Sequence, residues 1–238
     1  MPKNTLSNQF KAVFSEELKH HGFLLHKKTF YRIINDVVQT LMLNKTSTNF
    51  TLEFSILPLC LPIIDLFCEG YDISIQGKRG WWDCLGEINE DIFSEAMFLF
   101  SQNVMPIFTR GIHSESAYSE LINYEKMVYS EMPEGVYLRG YSFVMMCISY
   151  GNYKMAHNHL SVIVNRWDQA YKKKLPEIES QGGCQEKNWA FEKTHDEMQM
   201  LKNMLYKLSI PDVDYFSDLV AQNEALSLSY LKQPSKRK

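Results

Sequence analysis

The chain is short of the patterns that announce a reaction. Its glycines never form a phosphate cradle: Gly77, Gly80 and Gly86 match neither the dinucleotide nor the P-loop spacing, so no nucleotide enzyme is readable. Cysteine is sparse and unpaired. Cys60, Cys68, Cys84, Cys147 and Cys184 make an odd number with no Cys-x-x-Cys among them, which predicts scattered free thiols in a reducing compartment rather than a disulfide framework. None stands in a nucleophile elbow or beside a histidine, and Cys60 and Cys147, in apolar runs, are expected to be inert core thiols. Positive charge is not in surplus: 25 Lys and Arg against 28 Asp and Glu give a net charge of -3, too little field to attract a nucleic-acid backbone. Long hydrophobic runs are also missing. The segments from Phe54 to Ile64, Ala96 to Thr109 and Gly140 to Tyr153 are too short or too polar for a membrane span, and the first ten residues hold no signal-peptide core. These absences together predict a cytoplasmic protein with no nucleic-acid or membrane partner.

What the chain does have is a well-supplied core and a change of period. At 238 residues with 45% hydrophobic side chains it can fold without disulfide or metal support. Leu6, Phe10, Val13, Phe14 and Leu18 form one face of a helix that Asn4 or Ser7 would cap and Gly22 would end. After a short entry through Phe23 to His26, residues 29 to 34 read as a strand, Asn35-Asp36 as a two-residue turn and Val37 to Asn44 as a second strand. A polar reversal at Lys45 to Asn49 leads into a third, with Phe50, Leu52, Phe54 and Ile56 facing a core and Thr51, Glu53 and Ser55 facing water. Pro58 and Pro62 should end the pairing there. Tyr71, Ile73 and Ile75 suggest a fourth strand, closed by Gln76 to Gly80.

From Asn89 the apolar spacing is helical. Asn89 is placed to cap a helix with the stripe Ile92, Ala96, Leu99, Phe100 and Val104, kinked or ended at Pro106. Further helices are expected near 115–129, 135–150, 153–174, 185–208 and 212–231. Gly151-Asn152 is a tight helical hairpin, and Ala156, Leu160, Ile163, Val164, Trp167 and Tyr171 form the returning apolar face. Gln181-Gly182-Gly183 reads as a joint, Pro234 to Lys238 as a solvated tail, and no repeat of fixed period is present. The expected fold is α+β: a small antiparallel β-meander with flanking helices over 1–110, followed by an all-helical extension over 111–238.

Three groups of residues invite a chemical reading. Glu17-x-x-His20 and Glu192-x-x-His195 have the carboxylate-histidine spacing of di-metal bundles, yet the first helix must spend its apolar face on the sheet, so both are expected to be ordinary side chains and no metal or cofactor is assigned. His157 and His159, two apart on a helix, point to different sides. Adjacent carboxylates such as Glu16-Glu17 and Glu90-Asp91 splay apart or serve a helix's first turn. The segment Lys78-Arg79-Gly80-Trp81-Trp82 is different. Arg79, Trp81 and Trp82 are of the residue types that dominate binding hot spots and are the candidate protein-binding residues; the competing reading gives one Trp to the end of the sheet core and the other to the following helix.

His21-Gly22-Phe23 at the end of a leading helix, the strand Thr29-Phe30-Tyr31-Arg32, the segment Val37-Val38-Gln39-Thr40-Leu41, the strand Phe50 to Ile56, and Trp81-Trp82-Asp83 ahead of a helix closing near Pro106 resemble the bacterial family catalogued as domain of unknown function 4304. The resemblance covers roughly the first half of the chain. It implies an α+β fold and a bacterial cytoplasmic setting, and it carries no activity or catalytic residues. The expectation is therefore a non-enzymatic protein-binding module of immunity or adaptor type. The alternative is an enzyme or small-ligand binder with a site assembled from residues distant in sequence.

Overall fold

The computed structural model describes residues 5–45, 49–63, 71–72, 74–75, 78–79, 81–83, 90–128, 140–180, 185–210 and 212–232, without the side chains of 72–81, 83–91, 140, 171, 174–180 and 185–195. Two compact units emerge, one formed by 1–133 with 221–238 and the other by 134–220. The α+β class expected from the change of period is what the structure contains.

In the first unit, α1 (Leu6–His20) buries Leu6, Phe10, Phe14 and Leu18. Its cap is Thr5, which accepts the Asn8 amide, rather than Asn4 or Ser7. Gly22 at φ +79° ends the helix, with the Phe23 amide donating to the Leu18 carbonyl and the Gly22 amide to that of Lys19. The stretch read only as a short entry holds a strand, β1 (Leu24–His26), joined to β2 (Thr29–Ile34) by a turn that holds Lys27 at φ +55°. A lysine is an unusual occupant of that region, which is why sequence reading missed the hairpin. The next turn is as read: Asn35 sits at φ +50° and pairs β2 with β3 (Val37–Lys45) at Ile34 and Val37.

β4 (Asn49–Pro58) pairs with β3 along its length and buries Phe50, Leu52, Phe54 and Ile56 as expected. Of the three residues expected on the wet face, Glu53 alone is not buried. Thr51 and Ser55 are buried, Ser55 and Thr40 share a hydrogen bond of 2.6 Å, and Tyr31, Val38 and Leu57 on that side cluster with Leu59, Ile63 and Leu231. The last turns of α8 (Val213–Leu231) are responsible. Asn223 donates to the Cys60 carbonyl at 2.8 Å, Ser227 bridges the Leu61 carbonyl and Ile63 amide, and Tyr31 donates to the Leu231 carbonyl.

The fourth strand is interrupted. β5 (Tyr71–Asp72) lies opposite Phe54 and Glu53, β6 (Ser74–Ile75) and β7 (Lys78–Arg79) leave to form a separate two-stranded ladder, and β8 (Trp81–Asp83) returns opposite Thr51 to Asn49. Ile73, Gln76, Gly77 and Gly80 lie outside the described residues, as does the Asn89 cap. α2 (Glu90–Leu99) runs through a π-helical turn (Phe100–Val104) into α3 (Met105–Arg110), where Pro106 occupies the first turn. The wider turn takes up the backbone bond that proline cannot make, so the chain shifts register instead of stopping. The first unit continues beyond residue 110 because α4 (Ser114–Val128) packs on the sheet: Tyr124 meets Phe54 edge-on, and the Tyr71 hydroxyl donates to buried Glu125 at 2.6 Å.

The second unit holds α5 (Gly140–Ser149), α6 (Tyr153–Ser180), α7 (Gln185–Ser209) and the start of α8. Gly151 at φ +78° makes the predicted hairpin, and the Asn152 side chain accepts the Met155 amide to start α6. Tyr153 stacks on fully buried Phe216. The Gln181-Gly182-Gly183 joint and the Pro234 to Lys238 tail fall outside the described residues. Among the described residues no helix is long and apolar enough to cross a membrane.

Candidate functional site

Of the residues singled out by sequence, the side chains of Trp82, Glu17 and His20 are described and those of Arg79, Trp81, Glu192 and His195 are not. Trp82, expected among the binding residues, is 7% exposed, stacks on Phe50 with ring centres 5.3 Å apart and points its indole N–H at Glu95. It belongs to the core because its register opposite Phe50 turns it to the apolar face of the sheet. For Arg79 and Trp81 only the backbone is described. Glu17 is exposed and bonds His21 at 3.3 Å rather than pairing with His20; the side chains of Glu192 and His195 are outside the described residues. Among the described residues no three His, Cys, Asp or Glu side chains stand close enough to share a metal ion. His159 lies against the Phe143 ring, where burial lowers its basicity. Cys60 and Cys147 are buried as expected, and burial pushes the Cys147 thiol up.

A polar cluster gathers where the β2–β3 turn meets the start of α4. Asp36 accepts the Ser114 amide at 3.0 Å and the His113 Nδ1 at 3.2 Å, while Asn35 donates to the Ile112 carbonyl and approaches His113 Nε2. Burial works to raise the Asp36 carboxyl, but hydrogen bonds, among them those from the Ser114 amide and His113, outweigh it and hold it below its ordinary value. Glu224 is pushed up by burial and then by the charge of Asp36. The arrangement caps a helix from a distant turn, with the ring nitrogens of His113 facing Asp36 and Asn35.

Behind the same turn, Gln39 is fully buried and donates through Nε2 to the carbonyls of Phe108 at 2.7 Å and Gly111 at 2.9 Å. Its Oε1 accepts Arg32 Nε at 2.7 Å; the Arg32 guanidinium also bonds the carbonyls of His21 and Phe108 and lies 4.8 Å from the Phe23 ring centre. A cation placed at the C-terminal ends of α1 and α3 neutralises both helix dipoles. This centre is structural.

The best candidate for binding is an open groove of about 440 Å³ within the helical unit, lined by Tyr141 of α5, Ile163, Arg166 and Trp167 of α6, and Glu197, Met200 and Leu201 of α7. Leu201 is buried and forms the floor; Trp167 is 40% exposed and Met200 53%. Trp167 was read as part of the returning apolar face, and Ala156, Leu160 and Val164 of that face are indeed buried. Trp167, one turn beyond Val164, is partly open to solvent where those three are covered. At the rim, Asp168 accepts Lys172 at 2.6 Å and Lys202 at 2.9 Å, which clips α6 to α7 and holds the carboxyl down at about 2. Arg166 has no carboxylate within salt-bridge distance among the described residues. The groove thus presents an aromatic, a thioether and a guanidinium around an apolar floor, residue types enriched at binding surfaces.

Compared with known proteins, the chain matches no family model, no curated protein and no solved structure.

Proposed function

We propose that the chain is a non-enzymatic protein-binding module, of adaptor or immunity type, working in the bacterial cytoplasm, and that it receives its partner on the groove between α5, α6 and α7. The observation that carries this reading is the exposure of Trp167 and Met200 around one opening beside Arg166. An exposed tryptophan gains most when a partner desolvates it, and methionine adapts its shape to the surface it meets. The groove is open and its polar groups stand at the rim, which fits a protein surface better than a small substrate needing enclosure. The family resemblance of the first half agrees with the proposed setting.

The test is a comparison of wild type with Trp167→Ala and Met200→Ala as bait in lysate of the source organism, followed by reconstitution with the purified partner and calorimetry. Loss of about tenfold or more in affinity for Trp167→Ala, corresponding to roughly 1.4 kcal/mol, supports the assignment. A partner whose affinity is indifferent to both substitutions removes the groove from the binding surface.

A further inference from the structure

We infer that the outer edge of β1 takes an extended segment of a partner protein as an added strand, apolar where it passes Leu24 and Leu25 and acidic where it reaches Lys27 and Lys28. Among the described strands β1 ends the sheet. It pairs with β2 on one side, Leu24 with Tyr31, Leu25 with Phe30 and His26 with Thr29, and with no described strand on the other. Alternate backbone N–H and C=O groups of an edge strand point away from its sheet and can join a ladder from outside. Apart from its length of three residues, this edge carries none of the usual guards. It has no lysine, carboxylate or proline, and Leu24 is 60% exposed and Leu25 39%. Opposed residues share a face, so Leu24 stands on the side of Tyr31, where the end of α8 closes a cluster, and Leu25 on the side of Phe30, where Phe10 packs. One added strand covers both, because its consecutive side chains fall on opposite faces.

Charge selects the guest. Lys27 and Lys28 are exposed in the turn that ends β1, and neither takes part in an ion pair among the described residues. Across the sheet from this end the row runs His26, Thr29, Met42, Glu53. Its first acid is therefore three strands away, about 14 Å at the usual strand spacing and beyond the screening length of physiological salt. The other end of β1 is mixed: α1 brings Glu16 and Glu17 as well as Lys19, and Glu17 bonds His21. The acidic residues of the guest thus belong beside the turn, where two uncompensated ammonium groups attract them.

The experiment pans the full chain with a displayed library of random peptides about ten residues long, enough to run past both ends of β1. Enriched sequences should join a β-branched or aromatic stretch to Asp or Glu at one end. A synthetic representative should lose about tenfold in affinity for the double variant Lys27→Glu with Lys28→Glu, and as much for Leu24→Thr. Both changes are at exposed positions, and circular dichroism checks that each variant is folded. The same peptide should bind Trp167→Ala as it binds wild type, which separates this edge from the helical groove. N-methylation of one alternate set of its amides should abolish binding and of the other set should not, since only one set faces β1. Binding indifferent to the phase of N-methylation overturns strand addition, and enrichment without acidic bias overturns the stated partner. Peptides lost with Trp167→Ala but kept with Leu24→Thr belong to the groove and overturn the inference, as does no enrichment at all. Self-association of the chain that disappears in Leu24→Thr gives the edge to a second copy and overturns it likewise.

Discussion

Replacing Gln39 by methionine tests whether one buried amide fastens α3 to the sheet. The side chain keeps nearly the same length and volume but loses every polar atom. Two donors vanish from the Phe108 and Gly111 carbonyls and one acceptor from Arg32 Nε. Phe108 retains only the longer bond from Arg32 at 3.4 Å. Leaving a buried polar group unsatisfied costs about 1 to 3 kcal/mol, so the loss at the Gly111 carbonyl and Arg32 Nε, with part of that at Phe108, comes to about 3 to 6 kcal/mol. Burying a thioether in place of an amide returns about 1 kcal/mol. The net expectation, about 2 to 5 kcal/mol, is a large share of the roughly 5 to 15 kcal/mol that holds a domain together. Urea unfolding followed by far-ultraviolet circular dichroism should show the midpoint falling by roughly 1 to 2 M with the slope unchanged. A double-mutant cycle with Arg32→Met should return a coupling of about 1 kcal/mol or more, since the two side chains share one network. If Gln39→Met is within about 0.5 kcal/mol of wild type, the three bonds are not stabilising the unit and this account of α3 docking fails.

Three further expectations follow from packing and titration. Leu52, fully buried on the core face of β4, should cost about 2 to 5 kcal/mol when cut to alanine, read by a thermal melt; an unchanged melt contradicts the assigned face. Gly111→Ala should destabilise by about 1 to 3 kcal/mol, because its Cβ would stand 2.8 Å from Ile56 Cδ1 and 2.9 Å from the Ile107 carbonyl; a neutral result would show that the α3–α4 bend yields easily. Asp168 has its folded pKa depressed from 3.8 to about 2, chiefly by its hydrogen bond with Lys172 and then by that with Lys202, so its contribution is present above the ordinary value and is lost as pH falls toward the folded one. A carboxyl-carbon NMR titration should show that midpoint rising in Lys202→Met, and no rise would remove the clip between α6 and α7.

Local rules were enough for much of this protein. The Phe10, Phe14 and Leu18 stripe, the Gly22 stop, the Asn35 turn, the alternation from Phe50 to Ile56 and the Gly151 hairpin are each set by a few neighbouring residues, and the periods of helix and strand expose them to reading. Turns that break the usual residue preferences were not legible, as at Lys27, and neither was the π-helical turn that carries the chain past Pro106. Other features depend on which element lies opposite, and no window of sequence contains that. Thr51 and Ser55 look like a wet face until the other side of the sheet is seen to carry its own apolar cluster, closed by the end of α8. Trp82 looks like a binding residue until its register places it on Phe50. Trp167 looks like core until the packing around α6 leaves it partly open. Residue chemistry thus determined what could be buried or bonded, and the tertiary pairing of helices and strands decided which of those residues were covered and which were left facing solvent.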